Sequence, residues 1–192
     1  MRKVLFTLLS LITLALTSLA QGPSILKPPK GSDLAIVVFE DLQCPMCRMT
    51  SPVIEQAAKS YKIPLVRYDF PLPMHNWSFD AAVIARYFEH QSRDLGDAFR
   101  VYIFQNQTQI FPSNLRTYAE RFAAEHKTAL PFVIDPKGQL AAEVSADRDL
   151  GKRVGIDHTP TVYIVSNKPS TPFVEVKKPQ DELFQAIDAL KR

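Results

Sequence analysis

The sequence predicts one α/β domain built from a β-α-β half and a β-β-α half, with a block of helices inserted between them. Three observations carry this. Two apolar runs, 34–40 and 63–72, bracket a helical pattern; strand, helix and strand within about 40 residues imply parallel pairing through a right-handed crossover. The next stretch repeats apolar positions at helical spacing with no strand pattern. Two short β-rich runs and an amphipathic helix complete the chain.

Taken in order, "LAIVVFE" (34–40) is continuously apolar and β-branched, the pattern of a strand covered on both faces. From Pro45 to about Ser60 a helix follows, with Met46, Met49, Val53, Ile54 and Ala57 on one face. Pro52 inside it removes a donor and crowds the preceding turn, which bends the helix. "IPLVRYDFPL" (63–72) is the second strand, ending in a proline-rich turn. In the helical block Trp77, Ala81, Ile84 and Phe88 share a face, as do Leu95, Phe99, Tyr102 and Ile103, then Leu115, Tyr118, Ala119 and Phe122. Asn76 and Ser113 are the expected caps of the first and third of these helices. Another helix runs from Asp135 to Val154, with Pro136 in its first turn, Gly155 at its end and Gly138 obscuring its start. The runs 160–166 and 171–178 form a hairpin around "NKPS", and the last helix (179–190) places Leu183, Ala186, Ile187 and Leu190 together.

The first residues stand apart from this fold. Arg2 and Lys3 give a basic start, Val4 to Leu16 an apolar run broken only by Thr7, Ser10 and Thr13, and Ser18 and Ala20 occupy the positions a signal peptidase reads. The expectation is a signal peptide over 1–20, cleaved near Ala20–Gln21, and a periplasmic or otherwise extracytoplasmic protein. A retained membrane tether competes with it, although the run is shorter than the roughly 20 apolar residues of a span. No cysteine follows the run to carry a lipid. Residues 21–33, rich in Pro, Gly and Ser, read as a linker. That leaves 34–192 as a single domain, with its core over 34–74 and 155–192 and the helical insertion over about 75–154. An apolar content of 46% excludes a disordered chain, and a formal charge of +3, evenly spread, excludes nucleic acid as a partner.

The two cysteines, Cys44 and Cys47, lie in "EDLQCPMCRMTSP", where the first strand hands over to its helix. Closing so short a loop restricts the unfolded chain little, so the spacing is poorly suited to a structural staple. At a helix start, unpaired N–H groups and the positive end of the dipole face the first sulfur and favour thiolate, with pKa values of roughly 3.5 to 7.5 instead of about 8.5. The second cysteine, one turn on, is placed to attack a mixed disulfide on the first. Pro45 lacks an N–H that the helix start does not use. A metal half-site is the rival: Cys44, Cys47 and Met46 or His158 offer soft and borderline ligands to copper or zinc. Against it, there is no second cysteine pair and the four histidines are scattered. A non-catalytic binding module is a third reading, in which both cysteines are replaceable.

The strand, "DLQCPMCRMTSP", "DFPLPMHN" (69–76) and "VGIDHTPTVYIV" together resemble the DsbA-like thiol–disulfide oxidoreductases of the thioredoxin superfamily, over nearly the whole chain from about Asp33 to Leu190. The resemblance implies a thioredoxin fold with a helical insertion between its βαβ and ββα halves. It implies Cys44 as the exposed nucleophile and Cys47 as the buried resolving thiol, forming a redox disulfide. Pro160 is then the cis-proline facing the pair. Thr159 presents its backbone to an extended substrate peptide, with His158 beside it, and Pro45, Met46, Thr159 and Pro160 tune the sulfurs. The implied activity is exchange with reduced exported proteins, as an oxidase, by a monomer without metal or cofactor. A membrane partner of the DsbB or VKOR kind reoxidises it; a reductase or isomerase with the same thiols is the nearest alternative. One departure stands out. Many relatives carry an acid six residues before the first cysteine, and here that position is Val38. Glu40 and Asp41, near the strand end, are expected to be solvated, with Glu40, on the same face as Val38, the candidate to replace the proton relay. His75 and His158 are expected in solvent-facing loops, and Trp77 in the helical core.

Overall fold

The computed structural model describes residues 22–192; the expected signal peptide and its cleavage point lie outside them. In chain order the elements are β1 (Leu34–Glu40), α1 (Pro45–Tyr61), β2 (Leu65–Asp69), α2 (Ser78–Gln91), α3 (Arg93–Asn106), α4 (Leu115–Glu125), α5 (Gln139–Val154), β3 (Thr161–Ser166), β4 (Phe173–Glu175) and α6 (Pro179–Lys191). The sheet order is β2-β1-β3-β4. β1 runs parallel to β2, with Glu40 opposite Asp69, and antiparallel to β3, with Val38 opposite Val162.

All seven residues of β1 are buried, as a strand covered on both faces requires. Its even positions, Ile36 and Val38, pack with Ile54 and Ala57 of α1 and Leu183 and Ile187 of α6. Its odd positions, Val37 and Phe39, pack with Val154 of α5 and Tyr163 of β3. Helix α5 comes so close to the sheet that a Cβ on Gly151 would lie 2.5 Å from the Phe70 ring, so only glycine fits there. The lead-in that reads as a linker is partly structured: Leu26 is buried against the α5 side of the sheet.

The helical block has its own core, in which Phe88, Phe99 and Phe122 meet with centroids 4.9–5.1 Å apart. Trp77 is buried in it, beside Leu42 and both cysteines. Several boundaries move. β2 stops at Asp69, before Pro71, which has no N–H to continue a ladder. α5 begins at Gln139, after Gly138 in the left-handed region at φ 67°, and Asp135 Oδ2 accepts the Ala141 N–H. Neither Asn76 nor Ser113 is a cap: the N-cap positions are Trp77 and Asn114, without side-chain caps. Asn76 instead accepts a hydrogen bond from Gln43. The side-chain cap in the block is Ser92, which accepts the Leu95 N–H at 3.1 Å at the start of α3.

The block is fastened to the end of the sheet by buried charges. Arg100 of α3, 1% exposed, donates to Asp69 at 2.5 and 3.0 Å and lies 3.5 Å from Glu40. Arg67 of β2 donates to both oxygens of Glu40 at 2.9 and 3.1 Å and also reaches Glu55 and Asp97. Arg86 of α2 bridges Asp69 and Asp147 of α5.

Candidate active site

Cys44 is the N-cap of α1, with extended backbone at φ −74°, ψ 121°, and Pro45 occupies the first turn. The two cysteines are free thiols. Cys44 is 6% exposed and Cys47 2%, so the nucleophile expected to be exposed offers only an edge of its sulfur. The Thr159–Pro160 peptide bond is cis. Thr159, far along the chain, comes to the pair: the Cys44 Sγ–H donates to its carbonyl at 3.3 Å. Thr159 Oγ1 is buried without a hydrogen-bond partner.

The two thiols are driven apart in acidity. Cys44 is lowered from 9.0 to about 5, above all by a hydrogen bond from Cys47. Burial opposes this, and Thr159 and the backbone N–H groups of Cys47 and Met46 add to the lowering. Cys47 is pushed well above the ordinary thiol range, first by burial, then by its bond to Cys44 and the negative charges of Cys44 and Glu40. The Asp41 N–H donates to Cys47 Sγ at 3.4 Å, a smaller opposing effect. At neutral pH the site is therefore one thiolate and one thiol, an attacking sulfur beside a protonated reserve.

Because the Cys44 pKa is depressed on folding, it stabilises the reduced fold fully above the ordinary thiol value of 9.0, and that contribution is lost as pH falls through about 5. The unpartnered Thr159 hydroxyl is free to donate once Cys44 ionises. Thr159→Val removes that donor and is expected to raise the Cys44 titration midpoint, by about tenfold in ionisation constant. Ultraviolet thiolate absorbance against pH checks this; an unchanged midpoint removes Thr159 from the tuning set.

Beneath the pair lie groups assigned to solvent by their position at the strand end, and here that expectation is overturned. Glu40 is 2% exposed and Asp41 1%, because cations and donors from distant elements enclose them. Asp41 Oδ2 accepts from Leu72 N and His75 Nδ1, both at 2.7 Å, and Oδ1 accepts from Gln43 N and the Ser78 hydroxyl. This carboxylate pins the "DFPLPMHN" turn against the cysteine loop. It also turns His75 inward, at 17% side-chain exposure, in place of the loop position expected in solvent. Burial raises the Glu40 pKa, with Arg67 and Arg100 opposing.

The structure brings Cys44, Cys47, Pro45 and Thr159–Pro160 together. His158 does not face the sulfurs: its Nδ1 meets Asp157 at 2.6 Å with 64% of the side chain exposed, so it stands on the rim. Met46, between the cysteines, and Met49 one turn on are half-exposed, so they do not share the buried face of Ile54 and Ala57, and Met74 in the pinned turn is 74% exposed. Gln107 was not foreseen. Its amide donates to the Leu42 and Cys44 carbonyls at 2.9 and 3.0 Å, locking the cysteine loop from the helical block. Nothing in "NQTQ" marks it; only the fold places it there.

A cysteine pair at a helix N-terminus, split in acidity and closed by a cis-proline loop on a thioredoxin core, defines the class of thiol–disulfide oxidoreductases. The chain belongs to the thioredoxin family: residues 30–189 match the family model described as Thioredoxin. Its fold is that of α-DsbA1 of Wolbachia pipientis, with a TM-score of 0.67 at 20% identity, covering 86% of this chain and 88% of that one. It is equally similar in fold to the thiol–disulfide exchange protein α-DsbA2 of Wolbachia pipientis, with a TM-score of 0.66 at 17% identity over 85% of each chain. DsbA2 of Pseudomonas aeruginosa gives 0.61 at 21% identity, covering 83% of this chain and 89% of that one. No curated protein matches in sequence.

Proposed function

We propose that this chain is an exported oxidase that donates the Cys44–Cys47 disulfide to reduced protein substrates. The observation that carries the direction is the depressed Cys44 pKa of about 5. Thiolate formation stabilises the reduced pair and so makes its disulfide easier to give away. At pH 7 the difference between 5 and 9.0 favours the reduced pair about 100-fold, or about 60 mV toward oxidation.

In the forward reaction a substrate thiolate attacks Cys44 Sγ, the Cys44–Cys47 bond breaks, and Cys47 leaves with the electron pair and takes up a proton. A second substrate thiolate then attacks the substrate sulfur of the mixed disulfide, forming the substrate disulfide and releasing Cys44 as thiolate. The substrate strand lies along Thr159, with His158 at the rim and the exposed thioethers of Met46, Met49 and Met74 giving a sequence-tolerant apolar border. Reoxidation requires an acceptor of two electrons, for which a membrane quinone-linked partner of DsbB or VKOR type is the natural class. Equilibration with glutathione tests the direction: a potential above about −180 mV supports the oxidase, and one near −270 mV makes the chain a reductase.

Glu40 is the proposed proton relay to Cys47. It shares the α1-facing side of β1 with Val38, its pKa is raised, and its charge reaches Cys47. Arg67, charged throughout, holds Glu40 and Glu55 together without carrying a proton between them; Glu55 accepts from Arg67 at 2.8 Å and from Ser51 at 2.9 Å. Ser51 and Glu55 line an open groove of about 320 Å³ between α1 and α3. Glu40→Gln is expected to flatten the pH dependence of exchange in the acid range while leaving the Cys44 midpoint near its value. An unchanged pH profile removes Glu40 from proton transfer.

For the metallochaperone reading the structure offers little. Among the described residues no three His, Cys, Asp or Glu side chains are grouped to hold a metal ion, and His158 turns toward Asp157.

A further inference from the structure

We propose that Asp41 is a further residue of the exchange reaction: its backbone N–H bears on the Cys47 sulfur as negative charge passes through it, and its carboxylate holds that N–H in place. This role rests on Cys47 being the resolving sulfur of the proposed function, and it applies whichever way the disulfide is passed. In one direction Cys47 leaves Cys44 with the electron pair of the broken S–S bond. In the other it attacks Cys44 with that pair. Both directions cross one transition state in which Cys47 Sγ carries part of the charge, so a donor aimed at that atom lowers the barrier to each.

The Asp41 N–H is such a donor, 3.4 Å from Cys47 Sγ. Cys44 has the N–H groups of Met46 and of Cys47 itself. Around Cys47, by contrast, burial, Cys44 and Glu40 all oppose charge, and the Asp41 N–H is the influence that favours it. On a neutral thiol or a disulfide an N–H contributes little. On a sulfur gathering charge, in a site where that sulfur's residue is 2% exposed, it acts as a charge-assisted bond.

The peptide unit that carries this N–H is held at both ends. Its carbonyl, that of Glu40, accepts the Phe70 N–H at 2.8 Å, and a trans amide sends its N–H the opposite way, to the sulfur. The next unit is held as well, for Asp41 O accepts the Cys44 N–H at 3.0 Å. Between them the side chain closes the loop on itself: Oδ1 accepts the Gln43 N–H at 2.7 Å, the local turn that aspartate favours. The Ser78 hydroxyl shares Oδ1, and Leu72 N–H and His75 Nδ1 meet Oδ2. Four donors, from the cysteine loop, the 69–76 turn and the start of α2, thus converge on one fully buried carboxylate. Burying a carboxylate is costly. What these bonds fix in return is the one residue whose N–H meets Cys47.

The test exchanges Asp41, in the full chain, for its α-hydroxy acid by nonsense suppression, which puts an ester oxygen in place of the N–H and keeps the carboxylate. Reduced protein is mixed with oxidised glutathione. The Cys44 thiolate takes up one glutathionyl group and releases one glutathione thiolate. Cys47, as thiolate, then attacks Cys44 Sγ, closing the Cys44–Cys47 disulfide and releasing the second. Trp77, packed beside both cysteines, reports this second step by its fluorescence. The ester is expected to slow that step about tenfold and its reverse equally, so that the potential against glutathione does not move. The ester also weakens the Glu40 carbonyl as an acceptor. An ester at Phe70, which removes that carbonyl's partner and leaves the Asp41 N–H, controls for this and is expected to slow the step no more than about twofold. Asp41→Asn, which keeps an acceptor for Gln43 and Ser78, is expected to retain more of the rate than Asp41→Ala. No slowing by the Asp41 ester, equal slowing by both esters, or a shifted potential overturns the role of the N–H. An Asp41→Ala chain as fast as the wild type overturns the role of the carboxylate. If Cys47→Ser accumulates no glutathione mixed disulfide, the assignment of Cys47 falls and this role with it; if that variant traps glutathione and the Asp41 ester is not slowed, this role alone falls.

Discussion

Cys44→Ser is expected to abolish disulfide exchange, a loss on the order of 10⁴-fold or more, while leaving the fold intact. The size follows from the site. Cys44 is the one sulfur held as thiolate at neutral pH, and serine in its place ionises far too weakly to substitute. Cys47→Ser has a different signature. The first attack on a disulfide still occurs at Cys44, but the thiol that resolves the mixed species is gone, so a covalent complex with substrate accumulates. Non-reducing electrophoresis with a disulfide-bonded client protein, whose disulfide Cys44 attacks, separates the two. If Cys44→Ser retains exchange, the chain is a binding module. If Cys47→Ser is inert and Cys44→Ser traps substrate, the roles of the two sulfurs are reversed.

Both features on which that expectation rests were legible in the sequence, because each is local. Helix start, Pro45 and cysteine spacing lie within a few residues, and the β1 pattern needs only its own seven positions. The cis-proline loop was legible only through resemblance, since 115 residues separate Cys44 from Thr159. The floor of the site was misread for a physical reason. Glu40 and Asp41 at a strand end look solvated unless their partners are known, and those partners arrive from far along the chain. Arg67 is 27 residues away, Arg100 60, and the Asp41 donors Leu72 and His75 31 and 34. Arg67, Arg86 and Arg100 each resemble an ordinary surface arginine in sequence. Only the assembled fold shows that they neutralise one buried cluster. The misplaced caps have the same origin, for Asn76 is diverted to Gln43 across the site.

That cluster gives the largest stability effect. Arg100→Met is expected to destabilise the protein by about 3–5 kcal/mol, seen as a lower urea midpoint with little change in slope. The arginine is buried with Asp69 and Glu40, and removing it leaves Asp69 to Arg86 and Glu40 to Arg67, each short of one cation in a medium that solvates carboxylates poorly. Burial alone would raise the Asp69 pKa, but Arg100 and Arg86 outweigh it and hold the group below 3.8. In the wild type this contributes stability above pH 3.8 that is lost as pH falls through the lower folded value. In the variant the sign reverses. Asp69 loses its closest cation, its folded pKa rises, and protonation on acidification relieves the strain. Glu40, already raised by burial, responds in the same direction. The deficit of Arg100→Met should therefore shrink between neutral pH and about 4, whereas a simple packing defect would keep it constant. Asp69→Asn combined with Arg100→Met should cost less than the sum of the two single changes, because each removes what the other leaves unpaired. An additive pair, or a deficit independent of pH, would show that the helical block is held to the sheet by apolar contacts and that the charges beneath the cysteines are incidental.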